Sequence, residues 1–282
     1  MRRNLTLTAA MAAALTSAPA LAGEISPWTP VAGGLEAEVA VSRQQADQFY
    51  AGTALGGIPT GAELEQDAVT LLASYGISER LAADLEIGYA NSKFPIVPGL
   101  APNGGTDGLT DFKLGLRFKV LDELGGAPLT ATLGVAAIID GGYQTGAISA
   151  IGDGGSGAQF ALALGKQIGP FSLSTDIGYR TKSSNVPNEL FGSVQGSFAV
   201  TNGISLYGGL AFVDSKGNLD IGGPGFSPAR FPEVEEDFKL WTVGASATIT
   251  GSASVNLTYG EKFDGRNTAK SNVIRMGVGY AF

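Results

Sequence analysis

Residues Val273–Phe282 read VIRMGVGYAF. Ile274, Met276, Val278, Tyr280 and Phe282 occupy alternate positions, and Arg275, Gly277 and Gly279 lie between them. A period of two puts the apolar set on one face of a β-strand and the polar or small set on the other. The last residues of a water-soluble domain are normally left to fray. An alternation kept up to a terminal Phe predicts a paired strand instead.

Working back along the chain, the same pattern recurs. LAADLEIGYA sets Leu81, Ala83, Leu85, Ile87 and Tyr89 against Asp84, Glu86 and Gly88. DFKLGLRFKV sets Phe112, Leu114, Leu116, Phe118 and Val120 against Lys113, Gly115, Arg117 and Lys119. FSLSTDIGYR sets Phe171, Leu173, Ile177 and Tyr179 against Ser172, Asp176 and Arg180. GGLEAEVAVSRQ places Glu36 and Glu38 opposite Leu35, Ala37, Val39 and Val41. Twelve such segments of about ten residues are predicted, the length that crosses a bilayer as a tilted strand. The eighth and ninth, ELFGSVQGSFAV and ISLYGGLAFV, are interrupted by Gly. A helical reading fails on the period and on the Gly spread through the segments.

The connections alternate in length. Short ones such as GISER, IGP, TNG and TGSA follow even-numbered segments. Long ones rich in Gly, Pro, Asn and Asp follow odd-numbered segments. These features together predict an all-β protein, an antiparallel, up-and-down, 12-stranded transmembrane β-barrel with short periplasmic turns and long extracellular loops. A bilayer cannot hydrogen-bond a strand edge, so the first and last strands must pair. A soluble β-sandwich or solenoid is the alternative. It would need a large polar outer surface, whereas here the polar faces are often Ser, Thr or Gly.

Residues 1–22 have the form of a secretory signal peptide. Arg2 and Arg3 precede the apolar run LTLTAAMAAALTSA, and Ala20 and Ala22 match a small-residue cleavage site. Residues 23–282 are then expected to form one outer-membrane barrel domain. The chain has 282 residues, 42 Gly, no Cys, no His and a formal net charge of −8. That charge argues against a nucleic-acid partner. Without Cys there is no disulfide, and no cofactor or metal site is expected. Without His, the Ser-His and His-metal schemes of catalysis are closed. No P-loop or dinucleotide fingerprint occurs, so the expectation is a protein that is not an enzyme.

The inward faces define the candidate site. The charged members are Glu36, Glu38, Asp84, Glu86, Lys113, Arg117, Lys119, Asp176, Arg180 and Arg275. Folding one hairpin about its loop brings Glu86 near Lys113, barrel closure brings Glu36 or Glu38 near Arg275, and Asp176 with Arg180 adds a further pair. Such pairs either brace the wall or set up a transverse field for a solute. The small members are Gly88, Gly115, Gly134, Gly165, Gly178, Gly277 and Gly279. They either leave room for a passage or allow tight packing around bulky neighbours. In the loops, FPEVEEDF (Glu233, Glu235, Glu236, Asp237) is expected as a solvated acidic rim, and IGDGGSG (Asp153) as a flexible loop.

Two stretches carry a resemblance. YGISERLAADLEIGYA resembles a YGxxxRLEL-G hairpin and DGLTDFKLGLRFKVLDE a GLGD-LGLKYRL strand, with Ala82, Ala83 and Asp84 splitting the first and Thr110-Asp111 replacing Gly-Asp in the second. Together, over Tyr75–Tyr89 and Gly108–Glu123, they resemble bacterial outer-membrane proteins of the MetA-pathway-of-phenol-degradation family. That resemblance implies a transporter of small, hydrophobic or aromatic compounds.

The expected function is passive passage of such a solute; the alternative is a closed barrel acting through its extracellular loops. The expected partners are outer-membrane lipid, the solute and the barrel-assembly machinery. Tyr280 and Phe282 are expected to serve as the assembly signal, and the barrel is expected to be a monomer.

Overall fold

The computed structural model describes residues 25–58, 61–98 and 101–282. The expected signal peptide, residues 1–22, lies outside the described residues.

Twelve long strands follow one another around a closed barrel: β1 (Leu35–Ala51), β3 (Leu64–Gly76), β4 (Leu81–Lys93), β6 (Phe112–Leu121), β7 (Thr130–Ile139), β8 (Gly157–Ile168), β9 (Phe171–Lys182), β10 (Asn188–Thr201), β11 (Ile204–Lys216), β12 (Asp237–Thr248), β13 (Ala253–Arg266) and β14 (Ala269–Ala281). Each pairs antiparallel with the next, and β14 returns to β1 in a register running from Glu36↔Ala281 to Phe49↔Ala269. Two short strands, β2 (Ala54–Gly57) and β5 (Asp107–Leu109), lie in the long loops and pair with the ends of β1 and β4. Closure satisfies backbone groups that an open edge would leave bare in lipid.

The alternation follows from the two environments. Val39, Leu116, Phe160, Ile177, Leu210 and Val278 are exposed on the outside of the wall. Their neighbours along the strands, such as Glu38, Arg117, Gln159 and Asp176, are buried on the inside. Gly169, with φ 60°, supplies the left-handed residue in the two-residue turn from β8 to β9. Several strands outrun the lipid-crossing pattern toward the long loops. β1 reaches Ala51 and β13 reaches Arg266. In these extensions the outward side chains are charged: Arg43 meets Asp67 at 2.7 Å and Lys239 meets Asp264 at 2.6 Å.

A compact apolar cluster sits at the extracellular mouth rather than at the barrel centre. Ala46, Leu64 and Ala269 from the wall meet Ile58, Phe94 and Ala101 from the loops. Beside it, the Ser149 carbonyl accepts from the hydroxyls of Ser92 and Thr106, and the Ser149 hydroxyl donates to the Gly104 carbonyl at 2.6 Å. The loop after β7 is therefore folded inward and fastened.

Candidate functional site

The lumen is organised in three levels, beginning at the periplasmic end. There, residues 25–30 do not continue the wall; they run inside it. Arg117 of β6 holds them. Its Nη1 donates to the carbonyls of Ser26 (2.9 Å) and Trp28 (2.7 Å). Its Nε and Nη2 bind both carboxylate oxygens of Asp84 at 2.6 and 2.8 Å, and Nη2 also donates to Ser74 Oγ at 2.7 Å. All five guanidinium donors are thus used, which a lysine cannot reproduce. Thr132 Oγ1 of β7 donates to the Pro27 carbonyl at 2.6 Å.

The wall glycines explain how the segment fits. A Cβ on Gly134 would come within 3.0 Å of Ile25 Cδ1, and one on Gly165 within 2.6 Å of Pro27 Cγ. Room left at other inward glycines is likewise taken. The Phe191 ring lies over Gly178, Glu38 and Asn256 over Gly277, Ser254 beside Gly279, and Thr110 beside Gly88, while Gly115 makes only ordinary contact with Asp84.

Next to the segment is a cavity of about 250 Å³ bordered by Glu36, Glu38, Asp84 and Glu86 on β1 and β4 and by Lys113 and Arg117 on β6. Lys113 meets Glu86 at 3.3 Å, so the two signs face each other within one hairpin. Lys119 turns to Asp122 in the adjoining turn, at 2.7 Å.

At the middle level, polar groups tie strand to strand. Arg275 of β14 pairs with Glu38 of β1, and Asn256 of β13 donates to Glu38 and accepts from Arg275. Arg180 of β9 meets Glu189 of β10 at 2.5 Å and Gln159 of β8, and its guanidinium lies 5.1 Å from the centre of the Phe191 ring. Asp176 accepts from the Ser193 hydroxyl. Above this girdle is an apolar cavity of about 190 Å³ bordered by Phe191, Ala211, Val213, Phe238, Leu240 and Val273.

The third level is a vestibule of about 250 Å³ under the extracellular loops, with Phe49, Leu64, Ile148, Ile151, Phe231 and Val234 in its wall. Gln44 and Lys262 border both this space and the apolar cavity below it. The acidic loop is partly exposed, and its carboxylates are paired. Glu233 pairs with Arg230, Glu235 with Arg266 and Glu236 with Lys262, and Asp237 caps the Ser215 amide. Arg266 and Lys262, both from β13, draw in Glu235 and Glu236, whereas Glu233 is paired within its own loop. Asp153 also borders the vestibule, its loop docked through Tyr143, whose hydroxyl donates to Asp111 (2.8 Å) and accepts from the Gly154 amide (3.0 Å).

A closed meander with an apolar exterior and a partly hollow, polar-braced interior is built to stand in a bacterial outer membrane. The same fold occurs in an outer membrane channel from Pseudomonas putida F1, at 16% identity over 94% of this chain and 99% of that one, with a TM-score of 0.70. The fold is that of an outer-membrane β-barrel. The NanC porin is similar at 10% identity over 86% of this chain and 98% of that one, with a TM-score of 0.53. No family model and no curated protein matches the sequence.

Sequence reasoning did not find residues 25–30 in the lumen or the aromatic lining contributed by Phe191, Phe231 and Phe238. Ile25 and Trp28 are apolar residues in a stretch with no strand period, and this is the one signal that the segment packs against something.

Proposed function

We propose that the barrel passes small apolar or aromatic solutes without energy input, as a monomer, and that the barrel-assembly machinery inserts it by reading its last strand. The observation that carries this is the apolar lining of the inner cavity, which is reached through a vestibule of mixed polar and apolar lining. Phe49, Ile151 and Phe231 border the vestibule, and Phe191, Phe238 and Leu240 border the cavity below it. A general porin for hydrophilic solutes would line the inner cavity with water-binding side chains as well. The resemblance to the MetA-pathway-of-phenol-degradation family supports an aromatic cargo. A chain without His or Cys supports a non-catalytic role.

The test is flux into liposomes carrying the full-length protein, comparing phenol or toluene with a sugar of similar mass. The expected result is faster entry of the aromatic compound than in protein-free vesicles, with little gain for the sugar. Equal gain for both would make it a general pore. No gain for either, in folded protein, would favour the closed barrel acting through its loops.

A further inference from the structure

The loop segment 150–156 places a carboxylate where the fold gives it nothing to hold. Gly154 and Gly155 adopt φ of 72° and 83°, so the chain turns back immediately after Asp153. The turn leaves Asp153 at the vestibule, whose wall also holds Ile148, Ile151, Phe231 and Val234. Among the described residues, Asp153 takes part in no hydrogen bond and no ion pair. The other charges in the vestibule are engaged with each other: Lys262 lies 3.6 Å from Glu236, and both bond the Thr268 hydroxyl. Glu236, Glu189 and Asp111 are the main like charges acting on Asp153, and Lys182 opposes them. Lys182 is itself shared with Asp111, at 3.8 Å.

A half-buried carboxylate without donors is unfavourable, and it is relieved by a proton or by a cation brought in from outside. Inorganic cations are poorly served here. Calcium takes about six to eight oxygen ligands, and the vestibule wall holds two carboxylates, Asp153 and Glu236, of which Glu236 is taken by Lys262 and Thr268. An anion is repelled. Space decides the rest. A cavity of roughly 150 Å³ accepts benzene, so about 250 Å³ holds one ring with a short arm.

We propose that the vestibule is a binding site for a small protonated amine with a ring-sized apolar body, and that Asp153 is its counter-ion. The apolar body packs on Ile151 and Phe231, and the ammonium group donates to the Asp153 carboxylate. This rests on the reading of the lumen as a solute route and names the solute class that its entrance selects.

The experiment is calorimetric titration of the full-length protein in detergent at pH 8 with 2-phenylethylammonium and with 2-phenylethanol, two ligands of matched body. The amine is expected to bind about tenfold or more tightly, as a charge-assisted hydrogen bond to a half-buried carboxylate implies. Asp153→Asn should lower the amine to the affinity of the alcohol and leave the alcohol unchanged. Ile151→Trp, which fills the cavity, should abolish both. Heat-modifiable migration on a gel verifies that each variant is folded, and the wild-type comparison of the two ligands needs no variant at all. Equal affinities in the wild type would overturn the proposal, as would amine binding that survives Asp153→Asn. Binding of calcium or potassium chloride alone, lost in Asp153→Asn, would overturn it in favour of an inorganic ion. If the preference for the amine fails while phenol still enters liposomes, the site is wrong and the channel reading stands.

Discussion

Arg275 on the last strand and Glu38 on the first form an ion pair across the seam of the barrel, and Asn256 ties both from the neighbouring strand. Their side chains are 5% and 10% exposed. The backbone already closes the cylinder through the pairing of β1 with β14; this triad locks that register from the inside.

Removing one partner strands the other. Glu38→Ala should cost about 3–5 kcal/mol because a buried guanidinium loses its counter-ion. Replacing both, as Glu38→Leu with Arg275→Leu, should recover most of that loss. The temperature at which the folded band disappears from an SDS gel reads both effects. A double variant no better than Glu38→Ala would show that the pair holds the seam by more than charge balance.

Arg117 is the fastening of the internal segment, since its Nη1 is the donor to both the Ser26 and Trp28 carbonyls. Arg117→Ala should free residues 25–30 and raise single-channel conductance severalfold in planar bilayers. Arg117→Lys should behave nearer to the alanine variant than to wild type, because one ammonium cannot serve Asp84, Ser74 and two carbonyls at once. Deleting residues 25–29 should give the open conductance without touching the wall. Unchanged conductance in the deletion would place the constriction elsewhere in the lumen.

The wall was legible in the sequence because each strand face meets one environment across the whole bilayer. The alternation through Leu81–Tyr89 or Phe171–Tyr179 could not be kept by chance beside Asp84, Glu86 and Asp176. Hairpin register made the approach of Glu86 to Lys113 readable, because only local geometry is involved. What was not legible depends on contacts far apart in the chain. Glu235 meets Arg266 and Arg117 meets Trp28 with no local pattern to announce either. The wet upper reaches of β1 and β13 were also missed. There the outward face is no longer in lipid, and residues such as Arg43 and Asp264 break the alternation.

Asp153 gives the loop a pH response. Burial, together with Glu236, Glu189 and Asp111, pushes its carboxyl up to about 7, and Lys182 acts against them. Unfolded or undocked, the same group titrates near 4. Between these values the docked state holds the extra proton, so stability of the docked loop falls as pH rises from about 4 to 7 and stays low above that. Limited proteolysis of the 141–156 loop should therefore be slower at pH 5 than at pH 8. Asp153→Asn, uncharged throughout, should be slow at both. A pH difference that persists in that variant would assign the response to another group.

Variants at Phe282 can separate an effect on assembly from an effect on stability. The amide of Phe282 donates to the Leu35 carbonyl at 2.8 Å, a bond that any residue can make. The Phe282 side chain is 73% exposed and touches the Tyr280 ring, with centres 4.5 Å apart. Little folded-state packing therefore depends on it. If the last strand is read during insertion, Phe282→Ala should lower the yield of protein in the outer membrane while the thermal transition of the inserted fraction moves little. A short extension after Phe282 should do the same, because it moves the aromatic residue away from the end without altering the strand. Normal yields for both variants would remove the signalling role. A normal yield with a large fall in the transition temperature would make Phe282 a structural residue of the aromatic belt instead.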